Sequence, residues 1–509
     1  MGPALDRSKI SVILFLMVFV SGAFCDTGAL PPFKFHLKAT PRTLDPTKMT
    51  AGESTYMFSQ LYRGLLRFDG VNQLIFDQAK KCRSKIETEL ICEIRKEARW
   101  NDGAPVTAED FVRAFRRLVS PDSTSPIVDL LLGVKNAKSI YDGKLPPESL
   151  GVKVTSDGNL QITLNEKDTE FLEKLSNPLL VPYRAPKDTL DFTTFYTNGP
   201  YKIKSWVRNQ KIELAPMDSY FGGKTPRPPV EIYFASEDSA GMTLYEKGVI
   251  NFLTRVTTIN IPKYKERPDF IQIPLARYDY VGFNLRSGSP FEKKEVREAF
   301  VHAVNFEELK RILFALGAPG CPSFAEPFLN PDGHCQDYVE NQPKLSISKP
   351  VKFMFSQLGG DDVRRQGEWF QEQWRSHLGV KLEIRDMEQK QFRALLRKSP
   401  PDAFRMGVPL EWPACSAALR KFMKDNADNF IGFNNAHFDN LVKALTTQKL
   451  SLSEKASICG VASDILFKEE YVGIPMGQMH FTMLCDPKYK GWTINQLNQL
   501  DLSQLTYSK

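Results

Sequence analysis

Apolar positions along this chain fall into short runs with two different periods. Phe111, Phe115 and Leu118 recur at helical spacing, with Arg113, Arg116 and Arg117 on the opposite side, which predicts an amphipathic helix carrying solvated arginines. Its ends are marked locally. Asn101-Asp102-Gly103 reads as a turn, Thr107 and Asp110 have the spacing of a capping box, and Pro121 stops the helix. A longer helix is predicted over Glu295–Phe314, with Val296, Ala299, Phe300, Ala303 and Val304 facing inward. Strand-like alternation occupies Gln161–Leu164, Tyr201–Trp206, Lys211–Leu214 and Tyr280–Leu285. Asn198-Gly199-Pro200 opens the second of these as a turn, and Tyr220–Lys224 closes the third. Helical and strand segments interleave along the whole chain with no internal repeat, so the fold class is α/β.

The most continuous apolar run lies near the start. Ile10–Val20 follows Arg7 and Lys9 and precedes Ser21-Gly22-Ala23, a succession that predicts a signal peptide over residues 1–25. The run is shorter than the roughly 20 residues that cross a bilayer. No later segment is longer or more apolar, so a mature chain exported to the periplasm or another extracytoplasmic space is expected. Cys25 raises a lipid anchor as an alternative, against which the bulky Phe24 stands where lipoprotein signals place a small residue.

A length of 509 residues calls for two lobes or more. The formal charge of +7 is modest for that length, and no Lys/Arg cluster is interleaved with aromatics, which argues against nucleic acid as a partner. Lys80–Arg83 and Arg364-Arg365 read as solvated faces. Eight cysteines in an exported chain point to disulfides. Cys82 and Cys92 could face each other across a hairpin, and Cys321 and Cys335 bracket a Pro/Gly-rich loop; these are the two expected pairs. A bridge over ~15 residues contributes about 3 kcal/mol in the chain-entropy model. The pairing of Cys415, Cys459 and Cys485 is not fixed by their spacing.

Enzymatic signatures are thin. Gly223-Lys224-Thr225 resembles the tail of a phosphate loop, but Asp218 stands where the earlier glycine belongs, so a strand-end turn is the better reading. There is no G-x-S-x-G, H-E-x-x-H or C-x-x-C. The six histidines, His36, His302, His334, His377, His437 and His480, are scattered. His302 falls on a helical pattern, and the cysteine beside His334 is better explained by a loop disulfide than by a metal site. No catalytic residue, metal ligand or cofactor is expected.

The wording of Arg99–Pro121 resembles the signature of the family 5 extracellular solute-binding proteins, the peptide, dipeptide and nickel receptors of ABC importers. NGPYKIKSW with the following strand and DSYFGGK is similar to that family's Gly-x-Tyr-x-x-x-x-Trp strand pair and its Asn-x-x-Tyr turn. YVGFNLRSGSPFEKKEVREAFVHAVNFEEL looks like its strand ending in Phe-Asn followed by Phe-x-x-x-x-Val-Arg-x-Ala. Leu44-Asp45-Pro46, FNNAHFDNLV and Tyr471–Pro475 match its opening and closing elements, all in order along the chain. The resemblance implies a two-lobed periplasmic-binding-protein fold with a ligand cleft between the lobes and an extra inserted α/β domain in lobe I. Lobe I would comprise 26–63, 180–275 and 476–509, the insertion 64–179, and lobe II 276–475.

The same resemblance places ligand-binding residues in three stretches. Thr50-Ala51-Gly52 occupies the position where peptide receptors pair a strand with the ligand backbone. Arg277, Tyr278 and Gly282 lie on a hinge strand, and Leu410-Glu411-Trp412 leads to Cys415 in lobe II. Trp412 reads as a cleft wall or as a core residue. Peptide receptors use an aspartate three residues after that tryptophan to hold the ligand's ammonium group; Cys415 stands there, and Ser416-Ala417-Ala418-Leu419 replaces the usual Tyr-x-Asp-Pro. A thiol is no anionic partner unless its pKa is lowered, and an unpaired desolvated ammonium costs several kcal/mol. Glu411 is the nearest substitute. The resemblance therefore implies a monomeric receptor that passes a peptide or other small solute to a membrane ABC permease, without dependence on a free α-amino group. The alternatives are a receptor for an oligosaccharide, opine-like compound or metal chelate, and an exported hydrolase, for which no nucleophile–base pair is found.

Overall fold

The computed structural model describes residues 30–49, 54–123, 125, 127–189, 191–223, 226–313, 339, 344–347 and 349–509. The expected signal peptide, Cys25, Thr50-Ala51-Gly52 and the expected Cys321/Cys335 pair lie outside the described residues.

The helix Ala108–Leu118 forms where its pattern places it, with Phe111, Phe115 and Leu118 buried. The Asp110 carboxylate accepts the backbone N–H of Thr107 at 2.9 Å and the Trp100 indole N–H at 3.3 Å, so the first turn is closed by its own sequence. The arginines are not all solvated. Arg117 donates to both oxygens of Asp45 at 2.9 and 2.7 Å and lies over the Tyr183 ring at 4.1 Å. Burial opposes ionisation of Asp45, but the bonds from Arg117 and Thr47 outweigh it and hold the carboxyl below its usual range. Leu44-Asp45-Pro46 is thereby tied to the helix.

The helix expected over Glu295–Phe314 is two helices, Lys294–His302 and Phe306–Leu313. Asn305 divides them, because its side-chain oxygen accepts the N–H of Glu308 at 3.1 Å and starts a new helix. Phe300, Ala303 and Val304 are buried as expected. Arg297 joins them inside, donating to the carbonyls of Phe291, Glu292 and Glu470 at 3.0, 3.0 and 2.9 Å.

The strand expected at Tyr280–Leu285 is the end of a 14-residue strand, Phe270–Phe283. It sits inside a sheet of ten strands. The order is Leu382–Met387, Val351–Ser356, Ala403–Pro409, Phe270–Phe283, Gly473–Cys485, Phe252–Leu253, Phe33–Leu37, Val230–Phe234, Lys211–Pro216 and Tyr201–Val207. The two long neighbours, Phe270–Phe283 and Gly473–Cys485, join a three-stranded wing to a five-stranded wing. The core of the first wing packs the helices Lys294–His302 and Gly360–Leu378 over the strands. Phe283 stacks on Phe291 at 4.3 Å, and the Trp374 indole donates to the Phe300 carbonyl at 2.8 Å. A second, four-stranded antiparallel sheet uses only residues within 79–163, and the helix Ala108–Leu118 packs on it. Cys82 and Cys92 oppose each other across its first hairpin and are bonded, S–S 1.97 Å.

Candidate ligand-binding site

The two long strands are paired from Phe270↔Leu484 to Gly282↔Gly473, but the register shifts between Pro274↔His480 and Tyr278↔Gln478. At that break the Ala276 N–H donates to the Gln496 carbonyl at 2.6 Å. On its other side the Ala276 carbonyl accepts the Leu410 N–H at 2.9 Å, which continues the ladder in which Arg277 pairs with Pro409 and Tyr278 with Val408. Leu410 thus lies beside the break.

Side chains alternate on this strand. Tyr278 and Tyr280 face one side and are buried, with Tyr280 edge-on to Phe422 at 5.3 Å. Arg277 and Asp279 face the other. Asp279 is fully buried and receives the Arg277 guanidinium at 2.7 and 3.3 Å; it also receives Arg405, whose Nε bonds Gln366 at 3.2 Å. Burial alone would raise the Asp279 carboxyl, but the two arginines hold it below the usual range. Gly282 is a packing position: a Cβ there would come within 2.8 Å of both the Phe404 and Tyr280 rings and 3.0 Å of Ile431.

The Leu410–Cys415 stretch differs from its sequence reading. Trp412 is fully buried, its indole N–H donating to Glu170 at 3.0 Å, with Lys174 and Arg420 over its ring at 5.2 and 5.0 Å. In this structure Trp412 is packed away from solvent. Glu170 also accepts the Ser416 hydroxyl at 2.6 Å and faces Lys455 at 3.5 Å. Glu411 is no spare anion, because Lys421 and Arg420 sit at 3.0 and 3.3 Å from its carboxylate. Cys415 is not a thiol but is bonded to Cys459, which ties it to the helix Leu452–Asp464. A disulfide sulfur does not titrate, so an anionic thiolate at this position is excluded. Cys485 is a free, buried cysteine.

Sequence reasoning chose Arg277 and missed Asp279, Arg405, Gly407 and Glu170. Opposite charges two apart in an otherwise apolar strand were a usable signal for the first of these. Nothing local signals Glu170, which meets Trp412 across 242 positions.

Comparison with known proteins settles the lineage. The family model described as bacterial extracellular solute-binding proteins, family 5 Middle, matches residues 79–430. The chain belongs to this family. It is 24% identical to the periplasmic murein peptide-binding protein MppA of Escherichia coli (strain K12), over 93% of this chain and 92% of that protein. It is 25% identical to the probable deoxycholate-binding periplasmic protein YgiS of the same organism, over 98% and 99%. The solved structure of the Escherichia coli murein tripeptide binding protein MppA superimposes with a TM-score of 0.78 at 21% identity, covering 94% of this chain and 98% of that one. The fold is thus the two-lobed fold of this family. Among the described residues no helix is long and apolar enough to cross a membrane, and no cluster of His, Cys, Asp or Glu is arranged to hold a metal.

Proposed function

We propose that this chain is an extracytoplasmic receptor that captures a peptide or peptide-like solute between two lobes and delivers it to a membrane ABC permease. The observation that carries the reading is the pair of long strands joining the wings, whose register breaks at 274–278 beside Leu410. Hinge closure about such a pair is a standard way to bury a ligand. Similarity to a murein peptide-binding protein over most of both chains supports peptide as the solute class. The break also supports dividing lobe I (26–63, 180–275, 476–509) from lobe II (276–475), and the self-contained four-stranded sheet supports an insertion over 64–179. Residues 1–25 act as a signal peptide, the receptor works as a monomer, and it binds without turnover or cofactor.

A second reading, a non-peptide solute, is favoured by the similarity to a probable deoxycholate-binding protein over 98% of this chain. One experiment separates these. Protein purified from its own cells is denatured, and the released solute is identified by mass spectrometry. Intact short peptides are expected. A retained steroid, sugar or chelate would select the second reading, and steady cleavage of added peptides would contradict both.

A further inference from the structure

Arg277 lies on a strand with a neighbour on each side, near the middle of the large sheet, yet 38% of its side chain is exposed. Ala276, Tyr278 and Asp279 beside it are almost wholly closed to solvent. Its side chain is thus partly open to solvent among buried neighbours, and it lies where the two long strands lose their pairing register.

The charge at this point is unbalanced. Two arginines meet one carboxylate, whose oxygens are both taken: Oδ1 by Arg277, and Oδ2 by Arg277 and Arg405. Arg405 is 8% exposed and also tied to Gln366, so the surplus positive charge is presented by Arg277. Other carboxylates at the junction of the wings are engaged elsewhere. Asp362 is bound by Arg365, Thr258 and Arg255, and Asp238 by Lys38 and Arg255.

The guanidinium is also held in place. Gly407 pairs with Asp279 in the neighbouring strand, and a Cβ there would come within 2.2 Å of the Arg277 Nη2 and 2.5 Å of the Asp279 Oδ1. The missing side chain is what lets the guanidinium lie across that strand. A guanidinium held in place by two bonds from Nε and Nη2 keeps further N–H donors, and such a planar cation suits a planar anion such as a carboxylate.

We propose that Arg277 is a specificity-determining residue of the cleft, positioned by Asp279 and Gly407 to receive a carboxylate of the bound solute. This rests on the reading of the chain as a solute receptor. Solutes bearing a carboxylate at this point are selected over neutral ones, whether the group is a peptide's C-terminus or an acidic side chain.

The test uses the mature full-length protein, freed of solute by unfolding and refolding, and synthetic short peptides in four forms. These carry a free or amidated C-terminus, each with and without one Glu side chain. Retained peptides are read by mass spectrometry and affinities by calorimetry. The wild type should prefer carboxylate-bearing forms roughly tenfold or more over the neutral amide. Arg277→Ala should abolish the preference, Arg277→Lys should keep part of it, and Gly407→Ala, which leaves every charge in place, should weaken it. The amidated and Glu-containing arms tell which carboxylate is read. Wild type that binds neutral and anionic forms alike, or Arg277→Ala with the preference intact and a cooperative melting transition, overturns the inference while leaving the receptor reading standing. Failure to retain any of the peptides overturns the peptide reading, and this inference with it.

Discussion

Two buried arginine–aspartate clusters in this molecule use the same residue types toward different ends. In the first, Arg63 and Arg67 meet Asp77 and Asp501: Arg63 reaches Asp501 at 2.5 Å, and Arg67 reaches Asp77 at 3.0 Å and Asp501 at 3.1 Å. Tyr220 adds its hydroxyl to Asp77 at 3.3 Å. Two cations face two carboxylates, and the network joins residues 63–77 to the far C-terminal segment. In the second, Arg277 and Arg405 share Asp279, and one arginine remains half exposed. A balanced cluster closes a seam. An unbalanced one with an open cation has charge left for something else.

If that contrast is right, damage to the two clusters should separate stability from binding. Arg63→Ala strands Asp77 and Asp501 with one arginine between them and is expected to cost about 3–5 kcal/mol of stability with solute affinity unchanged once folded. Arg277→Ala leaves Asp279 paired with Arg405 and should cost less, roughly 1.5–3 kcal/mol. Denaturant titration of both variants beside calorimetry checks this; equal destabilisation would erase the distinction.

A third buried group sharpens it through pH. Burial dominates at His36 and lowers its pKa to about 4, against the pull of Asp238 and with the help of Lys38. The unfolded chain takes up this proton near pH 6.5 while the folded chain refuses it, so stability is lost as pH falls from about 6.5 toward 4. The loss should reach about 3 kcal/mol. His36→Gln should flatten that part of the stability curve without altering anion selection. An unchanged pH profile would show that His36 titrates normally.

Arg117→Ala, which frees Asp45, is a smaller break, roughly 1 kcal/mol because the pair is partly solvated, measured as a shift in denaturation midpoint. The smallest expected effect is on the ligand's other end. With Cys415 in a disulfide and Glu411 held by Lys421 and Arg420, N-acetylating a bound peptide should change affinity by about threefold or less. A hundredfold loss would mean that another anion holds the ammonium group.

What the sequence made legible was local. Asn101–Pro121 carries its own turn, cap and apolar stripe, and it folds as those predict. The long helical pattern after Glu295 concealed Asn305, since capping outcompetes helix continuation only through side-chain geometry that periodicity does not encode. Arg277 was visible as a position but not as a charge imbalance, because Arg405 and Gly407 reach it only through the register of a strand more than a hundred residues away. Cys82–Cys92 was visible across one hairpin; Cys415–Cys459, bridging 44 positions, needed the helix packing. The burial of Trp412 depended on Glu170, which no nearby residue announces.

Small-angle scattering on solute-free protein, repeated at saturation with a carboxylate-bearing peptide, tests the central claim most directly. A receptor that closes two lobes about the hinge at 274–278 should shrink measurably in radius of gyration. Arg277→Ala should reach the same compact state only at higher concentrations of that peptide. Saturated binding, proven by calorimetry on the same sample, with no change in dimensions would contradict a cleft that closes on its solute.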